Sequence, residues 1–123
     1  MEFESLSKDV LGAAIEVHKH LGPGLLESAY EECLSFELLR RGYKIERQKP
    51  IPVVYKEIRL DCGYRIDILV EDRLVLELKS VDCFNPVHEA QILTYMKFSQ
   101  KRIGLLINFN VSLLKNGIKK YVL

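Results

Sequence analysis

Asp67, Glu77 and Lys79 are two acids and a base set within segments where apolar and polar residues alternate. Residues 64–70 and 74–81 read as an antiparallel pair joined by the turn Glu71-Asp72-Arg73. Ile66 then faces Leu78, Ile68 faces Leu76 and Val70 faces Leu74. Successive strand side chains point to opposite sides, so these six make one apolar wall. The other side carries Arg65 beside Lys79, Asp67 beside Glu77 and Leu69 beside Val75. A slip of one residue would set apolar rows against polar ones, which specifies the register.

In that register the Asp67 and Glu77 Cβ atoms lie about 4.5–5.5 Å apart. Like charges so placed cost up to ~1 kcal/mol when exposed, and more when buried. A divalent cation offsets the cost, because Mg²⁺ or Mn²⁺ takes carboxylate and carbonyl oxygens and Mg²⁺ keeps several waters. Diagonal Arg65–Glu77 and Asp67–Lys79 pairs on a solvated sheet face offset it as well. Spacing alone leaves the two readings open.

The hairpin needs elements to hold it. Leu6, Val10, Ala13, Ala14, Val17 and Leu21 recur at three- and four-residue intervals, predicting a helix over 5–21. Gly22-Pro23-Gly24 stops it. A second helix is expected over 25–41, with Leu26, Ala29, Tyr30, Cys33, Leu34 and Leu38 on its buried stripe and Gly42 as the cap. Residues 43–48 alternate as a strand, and Pro50 and Pro52 mark a sheet edge. Residues 53–60 read as one strand or a tight pair. Asn85-Pro86 opens a third helix reaching about residue 100, with Asn as N-cap and Pro in the first turn. Residues 102–109 are apolar enough for a buried strand, and a short strand is expected over 118–123. The pattern is that of an α/β protein with a mixed sheet.

A chain of 123 residues builds one core, and its 48% hydrophobic and 28% charged residues are ordinary for a folded domain. Residues 1–123 therefore form a single domain. The net charge of +1 excludes a strong bulk field for nucleic acid or membrane. The charge is uneven, however. Residues 1–39 hold eight acids against Lys8 and Lys19, while residues 97–123 hold six bases and no acid. These regions form separate surfaces or face each other. Cys33, Cys62 and Cys83 lack disulfide or zinc spacing and suit reduced thiols in a cytoplasm. The acidic N-terminus is unlike a signal peptide, and no apolar run approaches the roughly 20 residues of a membrane span.

Asp67 followed by Glu77-Leu78-Lys79 resembles the D…(D/E)xK signature of the PD-(D/E)xK nuclease superfamily. Within that superfamily, Gly24-Leu25-Leu26-Glu27-Ser28-Ala29-Tyr30 resembles the motif of the GxxExxY family, as do Gly63 to Asp67, Leu76 to Lys79, and His88-Glu89-Ala90-Gln91 with Tyr95. The likeness covers about residues 6–123. Ile66 stands where the signature proline would be. The resemblance implies a restriction-endonuclease-like core, a mixed central sheet flanked by helices, and a Mg²⁺- or Mn²⁺-dependent nuclease acting on DNA or RNA. Asp67, Glu77 and the Leu78 carbonyl would hold the metal, with Glu27 as a further acidic group. Lys79 would orient water or stabilise charge, and Gln91 would bind phosphate or position Lys79. Tyr30 and Tyr95 read as packing, and His88 as an exposed helix-start residue rather than a proton carrier. The alternatives are a non-catalytic nucleic-acid- or protein-binding module of the same fold, and a homodimer subunit.

Overall fold

The computed structural model describes residues 2–61 and 63–123, residues 2 and 3 by their backbone alone. Cys62 lies outside the described residues, while Cys33 and Cys83 are free thiols. The chain runs α1 (Glu2–Leu21), α2 (Glu27–Arg40), β1 (Ile45–Pro50), β2 (Val53–Tyr55), β3 (Ile58–Leu60), β4 (Arg65–Val70), β5 (Leu74–Lys79), α3 (Pro86–Ser99), β6 (Ile103–Asn108), a 3₁₀ turn (Leu114–Gly117) and β7 (Ile118–Val122).

Five strands form one sheet in the order β1-β4-β5-β6-β7, and β2 with β3 form a separate hairpin. Among the described residues only β5 and β6 pair in parallel, joined by α3 as parallel neighbours require. The other pairs are antiparallel. This is the expected mixed sheet flanked by helices, consistent with a restriction-endonuclease-like core.

Alternation sends each strand's side chains into two cores. Leu74, Leu76 and Leu78 of β5, with Leu105 and Ile107 of β6, pack against Val10, Ala13, Ala14, Leu34 and Leu38 of α1 and α2. Val75 and Leu106 pack on the opposite face against Ile92, Tyr95 and Met96 of α3. With both faces covered, β5 and β6 read as near-continuous apolar runs.

The register through Ile68–Leu76, Leu69–Val75 and Val70–Leu74 is the expected one. Gly42 caps α2 at φ 88°, as its position required. Three expectations fail. Helix α2 starts at Glu27, so Leu26 is its extended N-cap and 77% exposed, not on a buried stripe. Leu21, at the end of α1, is exposed rather than buried. Ile66 leaves the wall of Ile68 and Leu78 and packs with Leu69 and Met96 under α3. The alternation breaks at Asp67, where side chains replace the regular ladder. The 3₁₀ turn and the left-handed Gln48 (φ 51°) had no signal in the pattern.

Candidate active site

The β4–β5 ladder stops at Ile68–Leu76. Beyond it the carboxylates take the places of backbone carbonyls. The Asp67 amide donates to Glu77 Oε2 at 3.1 Å, and the Leu78 amide donates to Asp67 Oδ2 at 2.8 Å. Each acid thus satisfies the strand opposite, and the two strands part around them. Asp67 Oδ1 also accepts from Gln48 Nε2 at 3.3 Å, and the same Gln48 amide donates to Glu31 Oε1 at 2.7 Å. The left-handed backbone at Gln48 aims this side chain between β4 and α2.

The face is not the solvated one that a surface charge network needs. Glu77 is 3% exposed. Among the described residues no ion pair joins Arg65 to Glu77 or Asp67 to Lys79. Arg65 donates to the Gln48 carbonyl, and Lys79 Nζ donates to Gln91 Oε1 at 3.0 Å. Burial, then the charge of Asp67, pushes the Glu77 carboxyl up to about 8. Asp67 is raised too, chiefly by burial, while the Leu78 amide opposes the rise.

Lys79 ends β5, and α3 fixes its side chain. Gln91 accepts from Lys79 and donates to Tyr95 Oη at 3.0 Å, so Lys79, Gln91 and Tyr95 form one chain. Asn85 starts that helix with a reciprocal cap. Its Oδ1 accepts from the Val87 and His88 amides, and its own amide donates to His88 Nδ1. His88 is thus committed to the cap rather than to the site.

The loop between α1 and α2 is tied to the same end of the sheet. Tyr30 Oη donates to the Gly22 carbonyl at 2.6 Å and accepts from the Leu25 amide at 3.1 Å. Its ring stacks on Phe109 at 4.4 Å. Ser80, next after Lys79, donates to the Leu25 carbonyl at 2.6 Å. These bonds set Glu27, the first residue of α2, near enough for its charge to raise Glu77. Glu27 itself is exposed, and among the described residues no three acids, histidines or cysteines close into a metal cage. The structure therefore joins Asp67 with Glu77 and Lys79 with Gln91, and leaves Glu27 at the rim.

Sequence reasoning missed the supports. Buried Asn108 donates to the Val81 carbonyl and accepts from the Val81 amide, closing the chain that follows Lys79. Its signal was available as a lone amide near the end of an apolar strand. Gln48 and Glu31 carried no such mark.

A model of the PD-(D/E)XK nuclease superfamily matches residues 4–121, and the chain belongs to that superfamily. Membership suggests a nuclease with a nucleic-acid substrate, and nucleases of this superfamily generally use divalent metals. No curated protein and no solved structure matches the chain. Among the described residues no helix is long and apolar enough to cross a membrane.

Proposed function

We propose that this chain hydrolyses phosphodiester bonds in nucleic acid, with Asp67 and Glu77 as ligands of Mg²⁺ or Mn²⁺ and Lys79 as the cation that meets the phosphate. The buried carboxylate pair carries this reading. Two acids share one desolvated spot, and Lys79, the cation whose charge opposes them, is held by Gln91. Hard oxygen donors in mutual repulsion fit a divalent ion. The Leu78 carbonyl would complete the set, with Glu27 joining directly or through water. When bound, the ion would polarise the phosphodiester and lower the pKa of a water.

The chain's own residues do the rest. Gln91 fixes the Lys79 ammonium, so a cation waits where negative charge grows in the transition state. Tyr95 fixes Gln91 in turn. The loop bonds of Tyr30 and Ser80 hold Glu27 at the rim, which supports the narrower GxxExxY likeness of Gly24, Glu27 and Tyr30. The free Cys33 and Cys83 suit a reducing cytoplasm.

Titration calorimetry with MnCl₂ and MgCl₂ tests the reading on the wild type and Asp67→Asn. Binding in the wild type and its loss in the variant are expected. In a cleavage assay over DNA and RNA, Lys79→Ala should lower the rate roughly a hundredfold or more. Failure of the wild type to bind metal, alone or with nucleic acid, would sink the nuclease and favour a non-catalytic binding module.

A further inference from the structure

A nuclease must lead its substrate to the reacting atoms, and one surface adjoins Lys79 through its partner Gln91. Gln91 and Tyr95 line a cavity of about 390 Å³ between α3 and the β2–β3 hairpin. Apart from Thr94, its remaining walls are apolar or aromatic, chiefly Tyr64, Phe98, Val53 and Leu60. Tyr64 stands 46% exposed, with its ring tilted 58° to that of Tyr95 at 6.3 Å. Phe98 also lines a second cavity, of about 720 Å³, walled by Val54 and Arg59 of the same hairpin and by Lys97 to Lys101 at the end of α3.

That second cavity is basic. Lys49, Arg59, Lys97 and Lys101 line it, with Asp72 as its one acid. Lys101 pairs with Asp72, and Lys49 with Glu46. Among the described residues Arg59 and Lys97 have no carboxylate partner within salt-bridge reach. The two cavities share Phe98, so one surface holds Gln91, the partner of Lys79, then an aromatic wall, and then two uncompensated cations.

A duplex suits this trough poorly. Its base faces are stacked inside, so it would lay solvated phosphates against apolar walls. An unpaired strand offers a base face for the ring and phosphates for the cations, the two contacts on which single-strand binding rests. We propose that the trough between the β2–β3 hairpin and α3 is a binding track for single-stranded nucleic acid, in which an unpaired base beside the cleavage site stacks on Tyr64 and the following phosphates lie along Arg59 and Lys97. The direction of the strand rests on the nuclease reading, whereas the binding does not.

Fluorescence anisotropy in EDTA tests it, with labelled oligothymidylate and oligouridylate of about twelve residues and a blunt duplex of the same length. The single strands should bind roughly tenfold tighter than the duplex, although the duplex carries more charge. Tyr64→Ala should weaken single-strand binding roughly tenfold, and Tyr64→Phe should restore it. Arg59→Ala and Lys97→Ala should each lower the salt slope by about 0.7. Tight binding of either oligomer supports the track. Duplex binding as tight as single-strand binding, or Tyr64→Ala binding like the wild type, overturns it. Anisotropy in EDTA separates the two ideas, because it reads binding without metal and without cleavage. Binding without any cleavage would keep the track and sink the nuclease. Duplex cleavage indifferent to Tyr64 would do the reverse.

Discussion

Glu77 holds its proton far above the ordinary carboxyl value of 4.5, up to about 8, because burial and Asp67 both oppose its charge. Between those values the folded chain keeps a proton that the unfolded chain releases. The resulting stability is complete below about 4.5 and is lost as the pH rises through about 8. Asp67 is raised in the same direction and adds to the slope. Metal reverses the preference, since it binds the carboxylate form. Urea unfolding in EDTA should therefore show stability falling from pH about 5 to about 9, with a flatter profile in Glu77→Gln. Mn²⁺ should restore the wild type most at the alkaline end. A wild-type profile as flat as that of the Gln variant would mean that Glu77 is not protonated in the fold.

At the scale of elements, two glycines set how closely the layers approach. A Cβ at Gly104 would lie 2.7 Å from Met96 Sδ, between β6 and α3. A Cβ at Gly117 would lie 2.2 Å from the Asn108 carbonyl oxygen, against backbone that cannot turn aside. Gly104→Ala should cost about 1–3 kcal/mol, since the Met side chain can yield. Gly117→Ala should cost more, and should loosen Asn108 from Val81. Denaturant midpoints would rank the two, and equal costs would refute the argument. The same elements divide what was legible. Strands whose faces are both buried, and a helix opened by Asn85-Pro86, were plain because local patterning decides them. The place of Ile66 in the α3 core was not, because it goes with Asp67 and Glu77 taking hydrogen bonds from strand amides ten and eleven residues away in sequence. Gln48 was hidden for the same reason, whereas Asn108 was marked as a lone amide near the end of an apolar strand but its Val81 partner was not, because the sheet order sets it.

Over the whole molecule the two charged ends find different partners. Arg47 answers Glu31 and Glu32 of α2, whereas Lys101 and Lys119 answer Asp72 and Glu89. Such exposed pairs contribute about 0–1 kcal/mol each, so their consequence is the field they leave and not stability. Around the site the field is negative, with Glu31 acting on Asp67 and Glu27 on Glu77. Along the trough it is positive, at Arg59 and Lys97. A polyanion should then engage the trough without metal and enter the site only once a cation sits between the carboxylates. Ca²⁺, which takes the same oxygen donors, makes that step measurable by anisotropy at constant ionic strength. It should tighten oligonucleotide binding several-fold in the wild type and leave Asp67→Asn unchanged. An equal gain in both proteins would assign the effect to diffuse screening and detach the trough from the carboxylate pair.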